Sequence, residues 1–89
     1  MQYLSDTTMC GILAKVQEIQ PVALKKGYSF HIDASVHRLD GEAPHISIGV
    51  AVFYDNSLIL SYDFAWYETE EQALALVAKI RADVYALNG

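Results

Sequence analysis

Apolar residues along this chain change their spacing twice, and each change marks an element. Met9, Ile12, Leu13, Val16 and Ile19 recur at helical spacing, with Lys15, Gln17 and Glu18 opposite, which predicts an amphipathic helix. Ser5 or Asp6 can cap its start, and Pro21 is expected to stop it. Gly11 costs such a helix about 1 kcal/mol relative to alanine, so a close approach to the sheet or to another helix is expected there. The segment from Pro21 to Gly27 is then a connection, with Lys25-Lys26-Gly27 as an exposed turn.

From Tyr28 onward the spacing shortens to strict alternation, which predicts strands. In the first, Tyr28, Phe30, Ile32, Ala34 and Val36 share one face, and Ser29, His31, Asp33, Ser35 and His37 share the other. The second sets Ile46, Ile48, Val50 and Val52 against His45, Ser47, Gly49, Ala51 and Phe53. The third sets Leu58, Leu60, Tyr62, Phe64 and Trp66 against Ile59, Ser61, Asp63, Ala65 and Tyr67. Asp40-Gly41 and Asp55-Asn56 supply turn residues between them. Helical spacing then returns. Thr69 and Gln72 form a capping box, followed by Ala73, Leu74, Val77, Ile80, Val84 and Leu87 on one stripe.

Two apolar helix stripes and one apolar sheet face predict an α+β domain of two layers, α-β-β-β-α. The sheet is a three-stranded antiparallel meander with both helices packed on one face. The other face is left polar. If His37 pairs with His45, Ser35 meets Ser47, Asp33 meets Gly49 and His31 meets Ala51. A three-residue second turn extends these rows to Tyr67, Ala65, Asp63 and Ser61.

With 89 residues, residues 1–89 read as a single domain. The 53% hydrophobic and 19% charged composition predicts a packed fold, with disorder confined to the ends. The single cysteine, Cys10, excludes an internal disulfide framework and paired-cysteine metal sites. With no secretory leader pattern and no long apolar run, a cytoplasmic location is expected, without a membrane partner. Net charge −5 repels phosphate backbones, so nucleic acid is not an expected partner.

Three groups of residues carry side chains capable of chemistry. His37 and His45 could bring two imidazoles together for a metal or pH-sensing role, but a zinc site needs three or four ligands and Asp33 and Asp63 lie two rows away. Asp33 and Asp63 stand on either side of Gly49, about 10 Å apart at the backbone, on an open surface unsuited to acid–base work. Cys10 belongs to the first helix, across the sheet from every histidine, and reads as a small buried hydrophobe. No catalytic residue, cofactor or metal site is expected.

The element order resembles that of double-stranded RNA-binding domains, and Gly41-Glu42-Ala43-Pro44-His45-Ile46 is similar to their first hairpin connection. That family holds phosphates with lysines at the start of its last helix, where this chain has Glu70-Glu71, so the likeness is one of topology. The acidic composition also resembles that of small phage proteins that inhibit bacterial nucleases, although Glu68, Glu70 and Glu71 are the only acidic cluster. The expected function is a non-enzymatic protein-interaction module, homodimeric through the outer sheet face or an edge strand. The partner-contact candidates are His31, Asp33, His37, His45, Ser47, Gly49, Ala51, Phe53, Ile59, Ser61, Asp63 and Tyr67. The first alternative is an acidic inhibitor, of phage or mobile-element type, of a nucleic-acid-handling protein. The second is a metal or pH-sensing protein using His37 and His45.

Overall fold

A computed structural model of the chain describes residues 4–37, 41, 45–65 and 68–88, with the side chain of His37 outside the description. The element order is α1 (Asp6–Gln17), α2 (Gln20–Lys25), β1 (Ser29–His37), β2 (His45–Tyr54), β3 (Ser57–Phe64) and α3 (Glu70–Tyr85). The strands form one antiparallel sheet in the order β1-β2-β3. This is the expected α+β meander between helices. Trp66, Tyr67 and Asp40 lie outside the described residues.

Ser5 caps α1, its hydroxyl accepting from the Thr8 amide at 3.2 Å. The expected stop at Pro21 is corrected: the chain turns at Glu18-Ile19, and α2 begins with Pro21 in its first turn. Proline is tolerated there because its missing N–H would have no intrahelical partner. The segment read as a connection is thus mostly helical. It ends in a Schellman motif, in which the amides of Gly27 and Tyr28 donate to the carbonyls of Leu24 and Ala23 at 3.0 and 3.1 Å. Gly27 takes the left-handed conformation, φ 88°, that this closure requires.

The capping box on α3 is formed in both directions, between Thr69 and Gln72. The core unites Met9, Ile12, Val16, Ile19 and Ala23 with Ala73, Val77, Ile80 and Val84 from α3. The strands contribute Phe30, Ile48, Val50, Val52, Tyr62 and Phe64, all from one side of the alternation. Every helix therefore packs on the same face of the sheet.

Two expectations on α1 are corrected by the same helical phase. Cys10 is exposed, because it lies about 100° around the helix from Met9, which faces the core. An alanine Cβ at Gly11 would meet nothing within 4 Å, so no close approach explains this glycine. Gly11→Ala is expected to stabilise the fold by about 1 kcal/mol, read as a raised midpoint in urea unfolding. An unchanged or lowered midpoint would contradict the open surroundings.

At the core's edge, the buried Tyr62 hydroxyl donates to Asp83 Oδ2 at 2.5 Å, and Lys79 Nζ reaches the same oxygen at 3.1 Å. Burial, then the Asp83 bond and its charge, raise the Tyr62 pKa above the ordinary range of a phenol. Bonds from Tyr62 and Lys79 lower the Asp83 carboxyl. A depressed carboxyl contributes stability that is present above its unfolded pKa and is lost as pH falls through the folded one. A raised phenol contributes stability that is present below pH ~10 and is lost as the solution becomes more alkaline. Tyr62→Phe should therefore flatten the stability profile at both ends, measured by urea unfolding across pH. A variant profile parallel to the native one would refute this coupling.

Candidate interaction face

The face opposite the helices carries the predicted rows between β1 and β2, and those through Gly49 and Ala51 continue onto β3. Pairing of β1 with β2 sets His37 opposite His45, Ser35 opposite Ser47, Asp33 opposite Gly49 and His31 opposite Ala51. On the other side of β2, Asp63 lies opposite Gly49 and Ser61 opposite Ala51. Alternation together with the turn positions determines this arrangement, because a slip of one residue would turn each strand's apolar set to solvent.

The second turn departs from expectation. It is a two-residue turn, Asp55-Asn56, with φ of 50° and 66°. Two successive positive φ values make the mirror-image turn whose twist suits a hairpin, and Asp and Asn tolerate them. The extra residue is taken up by a bulge, where the pairing shifts between Val52–Leu60 and Phe53–Leu58. Ile59 is left without a direct partner, 44% exposed. Leu58, assigned above to the apolar face, lies opposite Phe53 and so belongs to the outer face, 56% exposed.

Exposure follows position on this face. His31, Asp33, Ser35, Ser61 and Asp63 are exposed, whereas His45, Ser47, Gly49, Ala51, Phe53 and Ala65 are half-buried between their neighbours. An alanine Cβ at Gly49 would sit 3.5 Å from Asp63 Oδ1, an ordinary contact, which places one carboxylate beside the glycine and leaves the row low. His31 meets Phe53 edge to face, with ring centroids 5.2 Å apart. The two belong to adjacent rows on the same face, a diagonal contact that alternation implies. Together with Ser29 and Asn56 they line a shallow, open depression. Asn56 and Leu58 join this face through the turn and the bulge, whereas Ser29 lies on it by alternation, opposite Phe53.

Among the described residues, no group of three or more His, Cys, Asp or Glu side chains is placed to hold a metal ion. His45 lies opposite His37 by backbone register and makes an interaction of its own. The side chain of His37 and all of Tyr67 lie outside the description. Asp33 and Asp63 flank the Gly49 row on separate strands and both face solvent. Such an arrangement offers hydrogen-bond acceptors and negative charge to a partner surface. No described helix is long and apolar enough to cross a membrane. Compared with known proteins, the chain matches no family model, no curated protein and no solved structure.

Proposed function

We propose that this chain is a non-enzymatic protein-interaction module that associates with a second copy of itself through the uncovered side of its sheet or an open strand edge. The supporting observation is the one-sided packing. Every buried strand residue points toward the helices, while the opposite face presents Gly49 and Ala51 at its centre, with Phe53, Leu58 and Ile59 exposing apolar surface nearby. A low floor with apolar margins admits close approach by another surface. A short chain gains burial by dimerising that its own core cannot supply.

The space above Gly49 supports a direct test, because an added Cβ there meets only ordinary contacts. Gly49→Arg and Ala51→Glu should leave the fold intact, read by circular dichroism. If the outer face is the interface, sedimentation velocity should show each variant dissociating at concentrations where the native chain remains associated. A folded variant that associates like the native chain would remove the outer face and leave the edges.

A second reading draws on Asp33 and Asp63, both exposed on a chain of net charge −5. On that reading the chain is an acidic inhibitor that occupies the basic surface of a nucleic-acid-handling protein. Its binding would weaken steeply with salt, whereas association of two copies through apolar area would not.

A further inference from the structure

We infer that β1 is the interface between two copies of the chain, pairing edge to edge and antiparallel, with Ile32 opposite Ile32 of the second copy. This interface presupposes the homo-oligomeric reading above and chooses the strand edge over the outer face.

Among the described residues, β1 is an edge strand with no strand paired on its outer side. All nine of its residues, Ser29–His37, pair with β2 without a break, and its sequence holds no Pro, Lys or Arg. Prolines, lysines and bulges are the usual devices that keep sheet edges from pairing. Here the bulge lies between β2 and β3, at the opposite edge. An edge strand turns every second residue's N–H and C=O away from its sheet. Gln20 Nε2 donates to the Phe30 carbonyl at 3.3 Å, and among the described residues no other side chain bonds the backbone of β1. The outward groups of Ile32, Ala34 and Val36 are a row of donors and acceptors open to another strand, and a strand that pairs along the whole edge takes the place of Gln20 at the Phe30 carbonyl.

The helical layer also leaves half of this strand bare. Phe30 is buried and Ile32 half-buried, yet Ala34 is exposed and Val36 is 63% exposed, although all four lie on the core side of the alternation. In the row of Ala34, Ile48 and Phe64 are each only 1% exposed. The gap therefore lies over the distal part of β1, with Ile46 in the row of Val36 half-buried beside it. Antiparallel pairing places the bare end of each strand beside the covered end of the other. Val36 then lies opposite Tyr28 of the second copy, and Ala34 opposite Phe30. The second copy's α2, which packs against its own β1 and exposes Leu24 at 56%, continues the helical layer across the gap.

Polar complementarity selects the register. With Ile32 on the two-fold axis, His31 faces Asp33 of the second copy, where an imidazole N–H can donate to the carboxylate, and symmetry gives that contact twice. Moving the axis to Asp33 sets two carboxylates opposite each other, which is unfavourable. Moving it to Ala34 sets Asp33 against Ser35 and loses the imidazole–carboxylate contact.

Disulfide trapping in the full chain tests this register. In a Cys10→Ser background, Ile32→Cys should form a covalent dimer on mild oxidation, since directly opposed residues lie about 4.5–5.5 Å apart at Cα, within disulfide reach. Asp33→Cys and Ala34→Cys, displaced along the strand from their own counterparts, should cross-link at least about ten-fold less. His31→Asp should weaken association about ten-fold, and adding Asp33→Lys should restore it. These positions are exposed except Ile32, so folding should survive. A native chain that dimerises but cross-links best at residue 33 or 34, or at none of these positions, overturns the β1 interface and leaves the homo-oligomeric reading standing. A native chain that stays monomeric at high concentration overturns both, including the case in which the edge takes up a strand of a different protein.

Discussion

Phe64→Ala is expected to lower unfolding stability by about 3–5 kcal/mol, the cost of removing a buried aromatic ring and leaving a cavity that the surroundings only partly fill. Phe64 is 1% exposed and lies opposite Ile48, itself 1% exposed, at the end of β3 just before the chain turns toward α3. A domain of this size has about 5–15 kcal/mol of total stability, so the variant should unfold at much lower urea or be unfolded outright. Leu58→Ala provides the contrast. Leu58 is 56% exposed beyond the bulge, and its loss should change stability by less than about 0.5 kcal/mol. Similar midpoint shifts for the two variants would contradict the assignment of β3 residues to core and surface.

The next largest effect is expected at Lys26, where a single side chain joins the two ends of the helical layer. Its ammonium donates to the Tyr85 carbonyl at 2.6 Å and to the Leu87 carbonyl at 2.8 Å, at the C-terminal end of α3. Those carbonyls have no partner within the helix, and the helix dipole favours a cation there. Nearby, the Tyr28 hydroxyl donates to the Asn88 carbonyl at 2.9 Å. Together Lys26 and Tyr28 hold the end of α3 against the turn that follows α2. Lys26→Met keeps most of the side chain's length and removes the charge, and should cost about 1–2 kcal/mol given partial solvent access. Amide exchange over residues 84–88 should accelerate in the variant more than exchange in β2. Uniform acceleration would mean that Lys26 acts on global stability without anchoring this terminus.

Much of the architecture follows from spacing alone. The alternation of Phe30, Ile32, Ile48, Val50, Tyr62 and Phe64 determined which face of each strand is apolar, and with the turn positions it gave the register of both strand pairs. The shape of the second turn was not legible for a definite reason. A three-residue turn, and a two-residue turn followed by a bulge, place the body of the hairpin in the same register, so alternation cannot separate them. Only the residues near the bulge reveal the difference, and there Leu58 changes face. Pro21 signals a stop in the sequence because its cost within a helix is large. That cost vanishes in the first turn of a new helix, where it is found. The bonds from Lys26 and Tyr28 to residues 85–88 join positions far apart in sequence, and no periodicity encodes them. The candidate face was legible as a set of residues. The bareness of Ala34 and Val36 was not, because alternation says which way a side chain points and not how far the covering helices extend.

The same limit explains why the chemistry of the outer face does not by itself name a partner. His31, Asp33 and Asp63 are exposed and lie on neighbouring strands, where open water screens them from one another. What distinguishes the molecule is an asymmetric cover, with helices over one face of the sheet and over only part of β1. Edges and faces of this kind gain most from another layer or strand, and a second copy brings both in matching form.

The mass of the full chain in solution, measured by light scattering across a wide concentration range, tests this account most directly. Twice the chain mass, falling to that of a monomer only on dilution and little changed by salt, is the predicted result. A monomer that persists at the highest concentration would contradict it.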